Sequence, residues 1–446
     1  MNIILRVWFI SFILFFSTVP YSMVSSAKGV ANWTVMYYIC GDSNIKDYVE
    51  SLLENLSHIG STKDFNLIIF VDRYGEDDFH IYYIGKKGAF IEISTSLGWP
   101  SEIDTGDPDI LKIFCAQMMR LYPAKYYALI PYASGGTGWQ RFCLPDRHPK
   151  TRGVSLPDLS NTLEFIFNRT HHKIDLMFGS CGTGVIELAY EVAPYVNYLV
   201  LTQDCLSREH LVERFYQATW DVRNNSNLTP EEFGKRAVIH LKPECFYYQE
   251  SYYNKTLPNW IKILNNSTFK GLHTVLFYDS TAVINTSRVN KLVSKIDQLA
   301  YYLLDHIDDK RFLDGISKAR SQTREYGKCF PKFYFLEPIY NKTRFEFMAY
   351  DCFIDIKDFI GHLKETIYDS QLEFLCNNII NGINETVSAI KKVPGDHSNG
   401  LSIYFPQEKI LYNKYIFYGK IPYPYESLSF SKNTNWDEFL KAYLKI

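Results

Sequence analysis

The chain of 446 residues is 46% hydrophobic and 22% charged, which is enough apolar material for a sizeable core. Its formal net charge of −2 argues against nucleic acid as the main partner. The length fits one large domain or two modest ones, and no internal repeat or low-complexity linker divides the sequence.

Residues 1–27 have the pattern of a secretory signal peptide. Arg6 supplies the positive charge, residues 7–19 are apolar, and Ser25-Ser26-Ala27 offers a cleavage site of small residues. The apolar run is short for a bilayer, so an uncleaved membrane anchor is the less favoured alternative. We expect a protein that is secreted or lies in the secretory-pathway lumen, with no stable membrane span after cleavage.

Acceptor triplets for N-glycosylation are frequent and fit passage through a eukaryotic secretory route. They begin at Asn32, Asn55, Asn168, Asn224, Asn227, Asn254, Asn265, Asn266, Asn285, Asn341 and Asn384. The chain also has nine cysteines, an odd count that leaves at least one outside any intrachain disulfide. We expect Cys181 to be that residue, and no cysteine spacing suggests a zinc site.

Apolar runs of strand length alternate with segments of helical periodicity, which predicts an α/β fold with a mainly parallel sheet. The predicted strands span residues 33–40, 65–72, 126–132, 173–180, 198–204, 273–278 and 400–405, with a hairpin at 80–84 and 89–93. The predicted helices follow a capping turn at 41–44, begin at 108, span 156–167, begin near 183, and span 285–306, 310–324, 353–363, 371–391 and 436–444. We expect alternation to about residue 278, an α/β core over residues 30–280, and a helical carboxyl-terminal portion over residues 281–446 that completes the same fold.

Residues 173–204 form a strand–turn–helix–strand unit around which the rest of the chain is organised. Gly182 and Gly184 allow a sharp bend after the first strand. Cys181 then lies at the carboxyl end of a strand, where open α/β sheets bind ligands, and near a helix amino terminus, which favours a thiolate. On this local pattern alone, a structural thiol in a packed turn is the commoner interpretation.

Several segments together resemble the clostripain-like cysteine peptidases of the caspase-like clan. The matching segments are 33–42, Glu-Ile-Asp-Thr-Gly-Asp-Pro at 102–108, the strand and Gly-rich loop at 122–139, the Cys181 segment at 174–200, Gly-Leu-Ser-Ile-Tyr-Phe-Pro at 400–406, and Trp-Asp-Glu-Phe-Leu at 436–440. The resemblance implies a three-layer α/β/α sandwich, a peptide or protein substrate, and a Cys/His pair at the carboxyl edge of the sheet. In that mechanism the His activates the thiol and protonates the leaving amine, while backbone N–H groups hold the oxyanion.

Two positions depart from the family pattern. Ser134 stands where the family has its catalytic histidine, and Gly179 stands where the family has an acid that helps to select a basic side chain. By resemblance, Gly135, Gly179 and Gly182 are the expected substrate-binding positions. Asp204 is expected either to line the substrate pocket or to be an exposed turn residue.

The substitution at position 134 has a direct chemical consequence. A serine hydroxyl accepts no proton near neutral pH, and a thiol without a base is only a few per cent thiolate at pH 7. Loss of the general acid/base costs on the order of a hundred- to ten-thousand-fold in rate. The sequence therefore favours a catalytically impaired homologue, a pseudopeptidase that binds peptides or proteins.

The alternative is an active cysteine endopeptidase that uses Cys181 with a non-standard base. His148 or His80 could serve if a loop folded back over the site, whereas His171 and His172 precede the strand and should lie roughly 25 Å away. Tyr132 is too weak a base and is expected to pack. A surface adhesion or structural module is a further idea, which no repeat supports. The family has calcium-activated members, but no calcium loop is recognisable here, so the cofactor stays open.

Overall fold

The computed structural model describes residues 29–42, 45–133, 153–179, 181–204, 208–243, 245–249, 274–278, 280–326, 352–409, 412 and 424–446. The predicted signal peptide at residues 1–27 lies outside these ranges, as do Ser134, Gly135 and His148.

A nine-stranded mixed sheet forms the middle layer of the fold, in the order β13-β10-β7-β6-β5-β1-β2-β3-β4. Its strands are β1 (Ala31–Cys40), β2 (Phe65–Asp72), β3 (Phe79–Ile84), β4 (Phe90–Glu92), β5 (Ala124–Tyr132), β6 (Ile174–Phe178), β7 (Val196–Leu201), β10 (Ser280–Asn285) and β13 (Val387–Lys392). The five central strands, β7 to β2 in that order, are mutually parallel, while β3, β4 and β10 run antiparallel to their neighbours. The predicted parallel sheet is therefore confirmed. We call the edge at which β1, β2, β5, β6 and β7 start the amino edge, and the opposite one the carboxyl edge.

Helices cover both faces of the sheet, so the chain forms the predicted α/β/α sandwich. The helices are α1 (Lys46–Ser57), α2 (Pro108–Leu121), α3 (Leu156–Thr170), α4 (Ile186–Val192), α5 (Arg208–Asn224), α6 (Pro230–His240), α7 (Val289–Asp305), α8 (Lys310–Gln322), α9 (Ile356–Thr366), α10 (Ser370–Thr386), α11 (Ser429–Lys432) and α12 (Trp436–Leu444). Alternate residues of β1 point into the two layers: Val35 and Tyr37 pack with α1, α5 and α6, whereas Met36 and Tyr38 share a core with most of the other helices. Because β1, β2, β5 and β6 are covered on both faces, they are almost continuous apolar runs rather than alternating ones.

Helix starts follow from local capping chemistry. The Ser155 side chain accepts from the backbone N–H of Asp158 while the Asp158 carboxylate accepts from Ser155, so the two residues form a capping box at α3. Asp107 caps α2, which begins at Pro108 as predicted. The cap predicted at residues 41–44 lies partly outside the described residues, and the N-cap of α1 is Ile45, one residue after the predicted range.

The structure differs from the predicted elements at four places, and tertiary strand pairing overrides helical periodicity at the first two of them. The helix predicted over residues 353–363 begins as a short strand, β12 (Phe353–Asp355), which pairs with β14 (Ser402–Tyr404) and β11 (Glu325–Tyr326). The helix predicted over residues 371–391 ends at Thr386, because the following residues pair with β10 as strand β13. The helix predicted to start near Thr183 starts at Ile186. Strand–helix alternation also fails after β7, where α5 and α6 follow each other directly.

The carboxyl-terminal portion contributes helices to one face and β10 and β13 to the sheet. A separate pair, β8 (Cys245–Gln249) with β9 (Thr274–Tyr278), lies outside the large sheet. Within the part of the chain that the structure describes, no helix combines the length and apolarity needed to cross a bilayer.

Candidate active site

The segment after β6 carries Cys181 at the carboxyl edge of the sheet. β6 lies between β5 and β7, with Leu129 of β5 aligned with Met177 and Val200 of β7 aligned with Phe178. Gly179 N–H donates to the Val200 carbonyl at 2.9 Å, which continues the β6–β7 pairing up to the bend. Cys181 is partly exposed, two residues beyond that point. The predicted placement of the thiol at this edge is confirmed.

Each of the three glycines in the bend has its own steric reason. Gly182 has φ +66°, a left-handed conformation that side chains disfavour. A β-carbon at Gly184 would lie 2.8 Å from the backbone N of Gln203. A β-carbon at Gly179 would lie 2.2 Å from Thr183 Oγ1. The buried Thr183 side chain thus fills the space beside position 179.

The loop after β7 is hydrogen-bonded to this bend. Gly182 N–H donates to the carbonyl of Asp204 at 3.1 Å, and Gly184 N–H donates to the carbonyl of Thr202 at 2.8 Å. Asp204 is 1% exposed, so the alternative of an exposed turn residue is wrong. Asp204 therefore adjoins the bend that carries Cys181, with its side chain out of solvent.

A buried amide holds this loop to the carboxyl-terminal portion. Gln203 Nε2 donates to Asp355 Oδ2 at 3.0 Å and to Ser402 Oγ at 2.7 Å, while its Oε1 accepts from Gly400 N–H at 2.7 Å. Burial raises the pKa of Asp355 to about 6, even though N–H donors, including the backbone and side chain of Asn399, contact it. Sequence reasoning missed this network, whose partners are separated by more than 150 residues along the chain.

The helix after the bend is also held by the carboxyl-terminal portion. Glu187 of α4 accepts from the backbone N–H of Tyr404 and from the hydroxyl of Tyr425, each at 2.9 Å. Burial raises the pKa of Glu187 to about 7. Glu191, one turn later, accepts from the backbone N–H groups of Ser429 and Phe430. The segment that carries Cys181 is thus anchored on both sides by chain beyond residue 354.

The helix amino terminus gives the thiol less support than the sequence predicts. α4 starts at Ile186, five residues after Cys181, and Val185 is its N-cap. The favourable field of a helix dipole falls off within about its first turn. Glu187 in that turn places a carboxyl where the dipole acts. Cys181 therefore lies outside the range in which this short helix would stabilise a thiolate strongly.

The histidines considered as alternative bases lie at different positions relative to Cys181. His80 lies on β3, paired with Val71, and four strand spacings separate β3 from β6. At about 4.8 Å per spacing the separation is about 19 Å, too far for direct proton transfer. His171 and His172 end α3 and precede β6, at the amino edge, so their exclusion is confirmed. His148 lies outside the described residues.

β5, the strand paired with β6, comes just before position 134 in the sequence. β5 ends at Tyr132, which is 1% exposed and packs edge-on against Phe215 with ring centroids 6.4 Å apart. The predicted packing role of Tyr132 is confirmed. Ser134 and Gly135 follow in the sequence but lie outside the described residues, so their predicted roles stay predictions.

Among the described residues, no three His, Cys, Asp or Glu side chains are grouped so that they could hold a metal ion.

Comparison with known proteins places this geometry in a family. The sequence model of the Clostripain family matches residues 37–209, which include the end of β1, Cys181 and Asp204. Clostripain from Hathewaya histolytica is 23% identical, over 87% of this chain and 77% of that protein.

Solved structures agree on the fold. A secreted C11 cysteine protease from Bacteroides thetaiotaomicron, bound to an irreversible peptide inhibitor, aligns with a TM-score of 0.54 at 15% identity, over 84% of this chain and 93% of that one. An inactive zymogen C11 protease from Parabacteroides distasonis aligns with a TM-score of 0.56 at 15% identity, over 91% and 99%. Residues 37–209, which carry Cys181 after the strand next to β5, thus match the clostripain family of cysteine peptidases, and the chain as a whole is similar to a curated clostripain.

Proposed function

We propose that this chain is a secreted clostripain-family homologue whose peptidase chemistry is impaired and whose carboxyl edge binds peptides or proteins. The observation that carries the proposal is the residue type at position 134, a serine where the family has the histidine of its Cys/His pair. The signal-peptide pattern at residues 1–27 supports the secretory route.

The impairment follows from the proton transfers that peptide cleavage requires. Peptide cleavage by Cys181 needs one group that takes the thiol proton and returns it to the leaving amine. A serine hydroxyl can do neither near neutral pH, and the position of α4 removes most of the helix-dipole support for a thiolate. A rate loss of about a hundred- to ten-thousand-fold is the ordinary consequence of losing such a group.

Retained binding is supported by what the fold preserves. The bend from Gly179 to Gly184 keeps its backbone hydrogen bonds to the β7 loop, and Gln203 and Glu187 fix both sides of it. Cys181, which is partly exposed, lies in this bend, and the buried Asp204 adjoins it. A bend that is fixed in this way can hold the partly exposed Cys181 segment in one conformation for contact with a peptide, without performing chemistry on it.

Turnover of arginyl and lysyl peptides by the purified chain tests the proposal. We expect no turnover above that of the Cys181→Ala variant. Turnover that disappears in Cys181→Ala would reject the impaired enzyme in favour of an active endopeptidase. The partial exposure of Cys181 is the observation that keeps this second function in play.

Two further measurements sharpen the distinction. Ser134→His should raise turnover in the presence of Cys181 and not in its absence, if the serine is what limits the chemistry. A thiol-directed peptide electrophile should label the wild type at Cys181 slowly and with the pH dependence of an ordinary thiol. Rapid labelling that saturates near pH 6 would reveal an activating base. Cys115, a free cysteine with 0% exposure, is the internal control and should stay unlabelled in the folded protein.

A further inference from the structure

The glycosylation triplets that lie in the described residues are not scattered over the surface. Seven of their asparagines lie in the described residues, and each is at the amino edge of the sheet. They are Asn32, Asn55, Asn168, Asn224, Asn227, Asn285 and Asn384.

The topology explains the placement residue by residue. Asn32 is at the start of β1, and Asn168 is in the last turn of α3, just before β6 begins. Asn55 lies in the last turn of α1, ahead of β2. Asn384 lies in the last turn of α10, just before β13.

The remaining three asparagines also lie at the amino edge, next to the starts of β1 and β7. Asn224 ends α5, and the next residues touch the start of β1, since Asn32 Nδ2 donates to Ser226 Oγ at 3.2 Å and to Asn227 Oδ1 at 3.3 Å. Asn285 is the last residue of β10, which is antiparallel to β7. It pairs with Tyr198, which lies near the start of β7. The described residues of the carboxyl edge, where Cys181 lies, contain no acceptor triplet.

We infer that the amino edge of this protein is covered by N-linked glycans, while the described part of the carboxyl edge is kept free of them for its ligand. The donor would be an oligosaccharide linked to a lipid pyrophosphate. The asparagine Nδ2 bonds to C1 of the first sugar, the bond from C1 to the pyrophosphate oxygen breaks, and the amide proton leaves with the lipid pyrophosphate. The inference rests on the secretory route proposed above and is independent of the loss of the base.

Exposure separates the usable acceptors from the rest. Asn168, Asn224, Asn227 and Asn384 are exposed, so a bulky hydrophilic group on them stays in water. Where hydrogen bonds engage these side chains, they use the oxygen: Asn224 Oδ1 accepts from Arg223, and Asn384 Oδ1 accepts from Lys357. The nitrogen that carries the sugar is not the atom used in these contacts.

Asn32 is the matched counter-example. Its Nδ2 is the donor in both hydrogen bonds to Ser226 and Asn227, and Thr34 of the same triplet is fully buried. A glycosylated amide nitrogen keeps only one N–H and could not make both bonds, and the sugar would push into the loop that they hold. We therefore expect Asn32 to stay unmodified although it meets the sequence rule.

Site mapping on the intact chain tests the inference. The full chain would be secreted from an insect-cell host, treated with peptide-N-glycosidase in ¹⁸O water, and mapped by mass spectrometry. We expect ¹⁸O-labelled aspartate in most molecules at positions 168, 224, 227 and 384, and unmodified asparagine at 32. The Asn168→Gln variant should lose one glycan in mass while it unfolds at the same urea concentration.

Two results would overturn the inference. One is the absence of glycans at the four exposed positions of the secreted chain. The other is occupancy at Asn32 equal to that at Asn227, which would show that the fold does not select among the triplets. Peptide turnover by Cys181 would contradict the proposed impairment but would leave the glycan map unaffected, so the two failures can be told apart.

Discussion

The side chain of Thr183 lies against the backbone of Gly179 so closely that a β-carbon at position 179 would be 2.2 Å from Thr183 Oγ1 and 2.8 Å from Leu201 Cδ2. Both neighbours belong to the buried layer around the bend. Position 179, where the resemblance predicts an acid in the family, therefore has no room for a side chain beside Thr183 and Leu201.

The first prediction concerns this contact. Gly179→Ala should lower the free energy of unfolding by about 1–3 kcal/mol, because the added methyl group overpacks the bend. Gly361→Ala is the matched control: it lies inside α9, and a β-carbon there meets nothing within 4 Å. This control should raise stability by up to about 1 kcal/mol, the helix-propensity gain. Urea titration of both variants measures the difference, and equal effects would contradict the steric account.

The same contact bears on any attempt to restore the family's acid. Gly179→Asp alone should unfold at lower urea than the wild type, whereas adding Thr183→Ala should recover part of the loss by vacating the space. A double variant no more stable than Gly179→Asp would show that Thr183 is not the obstacle.

The second prediction follows from the buried carboxyl of Glu187. Burial raises its pKa from 4.5 to about 7, so the folded state binds this proton more tightly than the unfolded one. The associated stability is fully present below about pH 4.5 and is lost as the pH rises through about 7. The full loss amounts to about 3 kcal/mol. Asp355, with a pKa raised to about 6, adds a loss of the same sign over a lower range.

Glu187→Gln isolates the first of these contributions. The amide keeps an oxygen that can accept from Tyr404 N–H and from the Tyr425 hydroxyl, and it has no charge to bury. The difference between the unfolding free energies at pH 5 and pH 8 should therefore be smaller in the variant than in the wild type, with the contribution of Asp355 remaining. An unchanged difference between the two pH values would mean that Glu187 does not titrate with folding.

Local sequence determines most of the sheet but not the anchoring of the site. The bounds predicted for β2, residues 65–72, match the structure because its apolar run is covered on both faces, and the Asp107-Pro108 cap is a purely local signal. β12 and β13 were hidden inside helical periodicity because their strand conformation comes from pairing partners far along the chain.

The same distinction explains which parts of the site were predictable. The position of Cys181 after a strand follows from a few adjacent residues. Gln203–Asp355 and Glu187–Tyr425 join residues 152 and 238 positions apart, and no short pattern marks either pair. The burial of Asp204 likewise depends on chain that packs over it, so an exposed turn was an equally reasonable expectation.

The third prediction concerns Gln203. Gln203→Ala would remove the acceptor of the Gly400 backbone N–H and one donor to the buried Asp355 carboxyl. Each stranded buried group costs about 1–3 kcal/mol, so we expect a clear fall in the urea midpoint and a changed rate of thiol labelling at Cys181. Gln217→Ala is the control, since that amide bonds only a partly exposed Glu213 one turn away on α5 and should change stability by less than about 0.5 kcal/mol. If the two variants behave alike, Gln203 does not hold the loop.

The fourth prediction separates backbone strain from crowding within one bend. Gly182 has φ +66°, so Gly182→Ala should cost about 1–2 kcal/mol through the left-handed conformation, and Gly182→Asn should cost less, because asparagine adopts that conformation more readily. At Gly184 the obstacle is the backbone of Gln203 at 2.8 Å, which no choice of side chain relieves. Gly184→Ala and Gly184→Asn should therefore both be strongly destabilising, with asparagine no better than alanine. Urea unfolding of the four variants decides the matter: an asparagine that rescues position 184, or fails to improve on alanine at position 182, would contradict the assignment of strain to one glycine and crowding to the other.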